Sequence, residues 1–201
     1  MRRPAGPASA LSYEGQVLIA MPSLREGIFA RSVVYMCAHR EDGAMGIIIN
    51  HRASEIEFPK LLAQLKIVPE SEAIRLPPSV EEINVLRGGP VDTGRGFVLH
   101  SNDYSGGEST VKIAEGVSLT ATLDILRAIA QGEGPKRAVL ALGCAGWAGG
   151  QLEDEILNNA WLVAPADSGL VFDADFPAKY DRALAKLGVN AATLSAESGH
   201  A

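Results

Sequence analysis

Cys144 stands in the run Gly143-Cys144-Ala145-Gly146-Trp147-Ala148-Gly149-Gly150-Gln151, where an apolar stretch, Ala138 to Leu142, gives way to helical spacing. A thiol between a strand and a helix N-terminus has the setting of a covalent nucleophile. The nucleophile-elbow pattern places one residue between its first glycine and the nucleophile, and here Gly143 is directly adjacent. No histidine is spaced to serve as its base. A structural cysteine in a glycine-rich turn fits these residues better, with a hydrolase using Cys144 or a histidine as an alternative. The same turn could cradle an anion at a helix N-terminus. Glu153, Asp154 and Glu155 follow at once, however, and suit the helix dipole while repelling phosphate. No Lys-Ser/Thr pair follows the glycines, so the P-loop pattern is absent.

A second constellation is Arg87-Gly88-Gly89-Pro90. A guanidinium beside two permissive residues composes an anion site, with the backbone as a nest; a tight strand exit with a salt bridge is the plainer use. Gln151, Glu155 and Asn159 recur at helical spacing on one face, either lining a cleft or facing solvent. Trp147 and Trp161 bracket that helix as core or as pocket wall. Cys37 and His39 share a predicted strand face, two ligands short of a structural zinc site. His51 and His100 each end a predicted strand without a partner for acid–base work. No catalytic residue, metal or cofactor is assigned.

The elements that must position these groups follow from periodicity. Gln16 to Met21 predicts a strand stopped by Pro22, and Ser32 to His39 alternates with a period of two. Glu41-Asp42-Gly43 has hairpin chemistry, and Met45 to Asn50 is the returning strand. Phe58, Leu61, Leu62 and Leu65 mark a helix, and residues 69–82 a surface loop. Ile83 to Leu86 and Phe97 to His100 are strands on either side of a turn at 92–96. Val111 to Leu119 is extended and broken near Gly116. A helix over 121–131 is ended by Gly132 and Gly134-Pro135. Arg137 to Leu142 is apolar on consecutive positions and belongs at the sheet centre. Trp161 to Val163 and the short Leu170 to Phe172 follow as strands. The last helix carries Phe176, Tyr180, Leu184 and Leu187, with Gly188 past its end. Early hairpins and later interspersed helices make an α+β fold rather than βαβ alternation.

The chain has 201 residues, 47% of them apolar, enough for one domain over 13–201 behind a disordered tail at 1–12. No apolar run reaches the ~20 residues of a membrane span. The Gly-, Pro- and Ser-containing N-terminus has no export-signal core, and two cysteines suit a reducing compartment, so a cytoplasmic protein is expected. Net charge is −6, and the basic residues are dispersed apart from Arg2-Arg3 and Lys136-Arg137. That balance argues against direct nucleic-acid binding, although folding could still gather a local basic patch.

Together, Leu18-Ile19-Ala20-Met21-Pro22, Gly43 to Asn50, Gly88-Gly89-Pro90-Val91, Arg95 to His100 and Gly143 to Trp161 resemble the AlgH/YqgE family. The match departs after Asn50, where His51-Arg52-Ala53 replaces the family's common basic residue and proline. The resemblance implies a single α+β domain with a mainly antiparallel, barrel-like sheet surrounded by helices, in a bacterial cytosolic protein. The family carries the label of a transcriptional regulator, without established catalytic residues. The expected function is a cytosolic binding or regulatory protein that recognises a small anionic ligand or a protein partner; a direct DNA-binding regulator is a further alternative. The candidate ligand-binding residues are Asn50, Arg87, Gly88, Gly89, Gly146, Trp147, Gly150, Gln151 and Glu155. Whether the Arg87 and Gly143–Gln151 motifs meet in space is left open by the sequence, as is the oligomeric state.

Overall fold

Consecutive apolar residues from Ala138 onward build the strand around which the rest is arranged. In the computed structural model, which describes residues 12–24, 27–72, 76–192 and 194, this strand, β8, runs Ala138–Ala148. The other strands are β1 (Gln16–Ala20), β2 (Val33–Arg40), β3 (Gly43–Ile48), β4 (Asn84–Arg87), β5 (Val91–His100), β6 (Thr110–Ala114), β7 (Val117–Thr120) and β9 (Trp161–Pro165). The helices are α1 (Phe58–Gln64), α2 (Pro78–Glu81), α3 (Leu123–Ala130), α4 (Gln151–Leu157), α5 (Ser168–Phe172) and α6 (Lys179–Ala185). One edge of β8 pairs antiparallel with β5. Its other edge pairs first with β4 in parallel, Asn84 to Arg87 beside Val139 to Leu142, then antiparallel with β3, Gly43 to Gly46 beside Ala148 to Ala145. The order β6-β7-β5-β8-β3-β2-β1-β9 curls into an antiparallel half-barrel.

The period of two in β2 sorts its residues as expected. Val33, Tyr35 and Cys37 enter the interior of the half-barrel with Ile47, Ile49, Leu99 and Ala141, where α5 and α6 fill the space with Leu170, Val171, Tyr180 and Leu184. Val34 and Met36 face outward under α4, with Ile48, Leu152, Trp147 and Trp161. A separate outer cluster packs α1 and α3 onto Val85, Val98 and Leu140. Among the described residues no helix is long and apolar enough to cross a membrane.

Several sequence expectations change. The Gly143–Gly150 stretch is not one turn: β8 continues through Ala148, and Gly149-Gly150 alone turn the chain, Gly150 capping α4 at φ +79°. Gly143 and Gly149 admit neighbouring backbone: a Cβ on Gly143, which also holds φ +74°, would meet Gly89 O at 2.5 Å, and one on Gly149 would meet Glu41 O at 2.5 Å. Residues 92–96 lie within a bulged β5 rather than in a turn. The 69–82 loop contains α2. Leu170 to Phe172 belong to helix α5, whose N-cap Asp167 accepts from Leu170 N at 2.8 Å. Leu157, although apolar and in the helix that follows the glycines, is 78% exposed. The expected tail, residues 1–12, falls outside the described residues up to 11.

Candidate functional site

The sequence-predicted site residues separate into two places. Arg87 lies beside Leu142, partway along β8, and Gln151 follows the far end of the strand; at about 3.3 Å per strand residue they are roughly 20 Å apart. Arg87 donates to Glu55 Oε1 at 2.7 Å in an exposed ion pair. Gly88 and Gly89 lie on the backbone of Gly143 and Cys144, so the two glycine motifs do meet, as packed backbone. Asn50 clamps the entry to β2: Oδ1 accepts from Val33 N at 2.8 Å and Nδ2 donates to Arg31 O at 2.9 Å. Gly146 faces Val91, the Cβ it lacks reaching no closer than 3.8 Å.

Glu155 is not part of a solvated stripe. Its Oε2 accepts from the Trp147 indole N–H at 2.9 Å and the Trp161 indole N–H at 2.8 Å, and Oε1 accepts from Gln151 Nε2 at 2.8 Å. Gln151 Oε1 in turn accepts from Ala148 N at 3.0 Å. The two indoles meet edge to face at 6.0 Å, and Phe29 meets Trp161 the same way at 5.6 Å. One carboxylate therefore ties α4 to β8 and β9.

Cys144, the thiol of the hydrolase alternative, sits in a setting unfavourable to a nucleophile. Cys144 is buried in β8, and burial pushes its thiol up; Asp92 adds to this and Arg95 opposes it. A nucleophilic thiol needs the opposite shift. Burial also pushes up Cys37, with Cys144 and Glu14 adding to the effect. Cys37 and His39 do not share a face. A β-bulge between Met36 and Ala38 re-aims the strand, leaving Cys37 in the interior cluster while His39 reaches Glu153 of α4 at 2.7 Å and stacks on Tyr13.

Unsatisfied cation capacity gathers elsewhere, at the starts of β4 and β8. A cavity of about 550 Å³ there is lined by Arg52, Lys136 and Arg137, with Glu82 as its carboxylate among the described residues. The turn after α3 delivers the two β8-side cations, and its backbone is pinned. Lys136 N donates to Asp103 Oδ2 at 3.2 Å and Arg137 N to Ser101 Oγ at 3.1 Å. Ser101 N donates to Arg137 O at 2.9 Å, and Ser101 Oγ to Asp103 Oδ1 at 2.5 Å. Burial works against the Asp103 carboxylate, but the Ser101 hydroxyl and Lys136 amide outweigh it and hold the carboxyl below its ordinary range. The Arg137 guanidinium lies 5.0 Å from the Phe172 ring centre and donates to Ser168 Oγ at 3.2 Å, contacts that restrict its movement. A second cavity of about 450 Å³ adjoins the first, sharing Arg52, Ile83 and Asn84. Lys136-Arg137 stood out in the sequence as the paired basic residues, but nothing local tied them to Arg52, which lies 84 positions earlier.

Behind this turn His100 is fully buried. Its Nδ1 lies 2.9 Å from the Ser101 carbonyl oxygen, which only accepts, so Nδ1 carries the proton. Nε2 then accepts from Thr120 Oγ1 at 2.9 Å, Thr120 from Thr110 at 2.8 Å, and Thr110 Oγ1 from Gly106 N at 2.8 Å. Protonating Nε2 forces the Thr120 hydroxyl to turn its proton away from the ring. Burial lowers the His100 pKa, against smaller raising effects of Ser101 and Asp103; burial likewise lowers that of His51, with Arg87 adding. Below the unfolded value of about 6.5 the unfolded chain binds more protons than the folded one, so stability falls as pH drops from there towards the folded pKa values. A His100→Gln variant should show a flatter decline in urea midpoint between pH 6.5 and 5 than the parent; an identical slope would exclude His100 as a source of it.

The AlgH-like family model matches residues 17–192. A UPF0301 protein of Rhodopseudomonas palustris (strain HaA2) is 60% identical over 198 residues, covering 98% of this chain and 91% of that protein. One from Beijerinckia indica is 59% identical over 188 residues, covering 94% and 92%. The solution structure of AlgH from Pseudomonas aeruginosa superposes with a TM-score of 0.75 at 39% identity, covering 98% of this chain and 100% of that one. A crystal structure of a Corynebacterium diphtheriae protein, at 22% identity and TM-score 0.65 over 92% and 88% of the two chains, shares the fold. With a family match across most of its length and relatives near 60% identity, the chain belongs to the AlgH-like family.

Proposed function

We propose that this protein is a cytosolic, non-enzymatic binding module that recognises a small anionic ligand in the groove between Arg52 and Lys136-Arg137, and acts on transcription indirectly through that ligand or a partner protein. The observation that carries the reading is local charge reversal. In a chain of net charge −6, three cations face one cavity against a single carboxylate among the described residues. A concave, low-dielectric wall focuses such a field and concentrates anions. Arg137 adds a planar donor fork already stacked and hydrogen-bonded.

Among the earlier candidates, Glu155 is occupied by the two indoles and Gln151, and Arg87 by Glu55. The groove therefore replaces them as the site. Direct DNA binding is less well supported, since a basic face broad enough to track a duplex is at odds with the acidic balance.

Isothermal titration with inorganic pyrophosphate tests the proposal. The parent protein should bind, and a combined Arg52→Ala, Arg137→Ala variant should bind at least about tenfold more weakly. Equal binding by parent and variant, or no binding by the parent, would refute the placement.

A further inference from the structure

The two adjoining cavities differ in kind. On the β8 side, Lys136 and Arg137 face Arg52 across about 550 Å³. On the α1 side, about 450 Å³ is floored by Ile56, Phe58, Ile83 and Val85, and its one cation besides Arg52 among the described residues, Lys60, is paired with Glu57 at 2.9 Å. One cavity is thus cationic and the other neutral and apolar-floored, and Arg52, Ile83 and Asn84 line both. A bare phosphate would fill a small part of it, since cavities of ~300–1,000 Å³ take drug-sized molecules.

We infer that the groove is a two-part site for a nucleoside diphosphate or triphosphate, with the phosphates against Arg52, Lys136 and Arg137 and the base over Ile56, Ile83 and Val85. This rests on the anion-binding reading above. Three cations match the charge of a phosphate chain, and Arg52 at the junction reaches the bridge between chain and sugar. At the neutral end the apolar floor offers a flat ring a surface to stack on, while Ser54, Asn84 and the Glu57–Lys60 pair surround it with polar groups. That rim suits a ring with polar edges and would be wasted on an acyl chain. Asn84 Nδ2 donates to Glu82 O at 3.2 Å, which fixes the amide and leaves Oδ1 as an acceptor at the junction. A ribose hydroxyl, as donor, is its complement.

The test compares adenosine diphosphate, pyrophosphate and octanoyl phosphate by titration calorimetry at one ionic strength, on the parent chain and on Ser54→Trp and Arg137→Ala variants. Ser54 is exposed, so the indole can fill the second cavity without entering the core. Adenosine diphosphate should bind at least about tenfold more tightly than pyrophosphate. Ser54→Trp should erase that advantage and leave pyrophosphate binding unchanged, whereas Arg137→Ala should weaken both. If adenosine diphosphate binds no more tightly than pyrophosphate while both depend on Arg137, the two-part site is wrong and the anion site stands. If octanoyl phosphate binds more tightly than the nucleotide, the ligand class is wrong. If none of the three binds, the anion reading fails and this inference with it.

Discussion

A Gly89→Ala variant is expected not to reach the native fold. Gly89 has φ +153°, and a Cβ there would lie 2.2 Å from the carbonyl carbon of Cys144, 2.3 Å from its oxygen and 2.4 Å from Ala145 N. Every one of those atoms is backbone of β8, which is paired on both edges and cannot move aside. Gly88 is as tightly placed, 2.2 Å from Gly143 O. Its own N–H donates to Leu142 O and its carbonyl accepts from Ile48 N, both at 2.9 Å, so shifting this segment breaks the junction of β3, β4 and β8. Overpacking against side chains costs ~1–3 kcal/mol. Against immovable backbone, with an unfavourable φ added, the cost should exceed about 4 kcal/mol, a large share of a total near 5–15 kcal/mol. Gly94→Ala is the control, because no atom stands within 4 Å of its Cβ position. Circular dichroism melts should show no cooperative transition for Gly89→Ala and a parent-like one for Gly94→Ala. A Gly89→Ala melt close to that of the parent would contradict the crossing.

The second large effect is at Glu155. Alanine there strands the indole N–H groups of Trp147 and Trp161, which are 7% and 3% exposed. A hydrogen bond to a charged group contributes about 1.5–3 kcal/mol and an orphaned buried donor costs a similar amount. Glu155 is only half-buried, so water can reach part of the gap, and the net loss should be near 3 kcal/mol. In a domain of this size that lowers Tm by roughly 6–12 °C. Glu155→Gln keeps an acceptor between the indoles and should lose about half as much. Near-UV circular dichroism reports the same change through the loosened tryptophan pair. Unchanged Tm and an unchanged tryptophan signal in Glu155→Ala would show that the carboxylate does not lock α4.

These two sites show what the sequence could and could not express. The alternation of Val33 to Cys37 and the consecutive apolar run at Ala138 to Leu142 gave away faces and sheet centre, because burial of a strand is written in its own period. The glycines of 143–150 misled, because glycine marks both a turn and a close approach. Only the partner backbone at Gly88-Gly89 decides between them, and it lies more than fifty positions away. Likewise Glu155 read as one of several surface carboxylates, since its acceptor role depends on two tryptophans delivered by different strands. The bulge at Cys37 re-aimed His39 for a reason no period reveals. The family resemblance carried the architecture further than periodicity did. It could not point to the groove, because Arg52 sits where the chain departs from the family's pattern, and only the pairing of residues 51–53 with β4 brings it towards Lys136-Arg137.

Anion binding at the Arg52–Lys136–Arg137 groove can be followed through the backbone amide resonances of the ¹⁵N-labelled protein during titration with pyrophosphate. Saturable shifts are expected at Ile83, Asn84, Lys136, Arg137 and Ala138, with Gly88-Gly89 and Gly146–Gln151 still. Shifts centred on Arg87–Gly89 or on Gly146–Gln151, or no saturable shift at all, would contradict it.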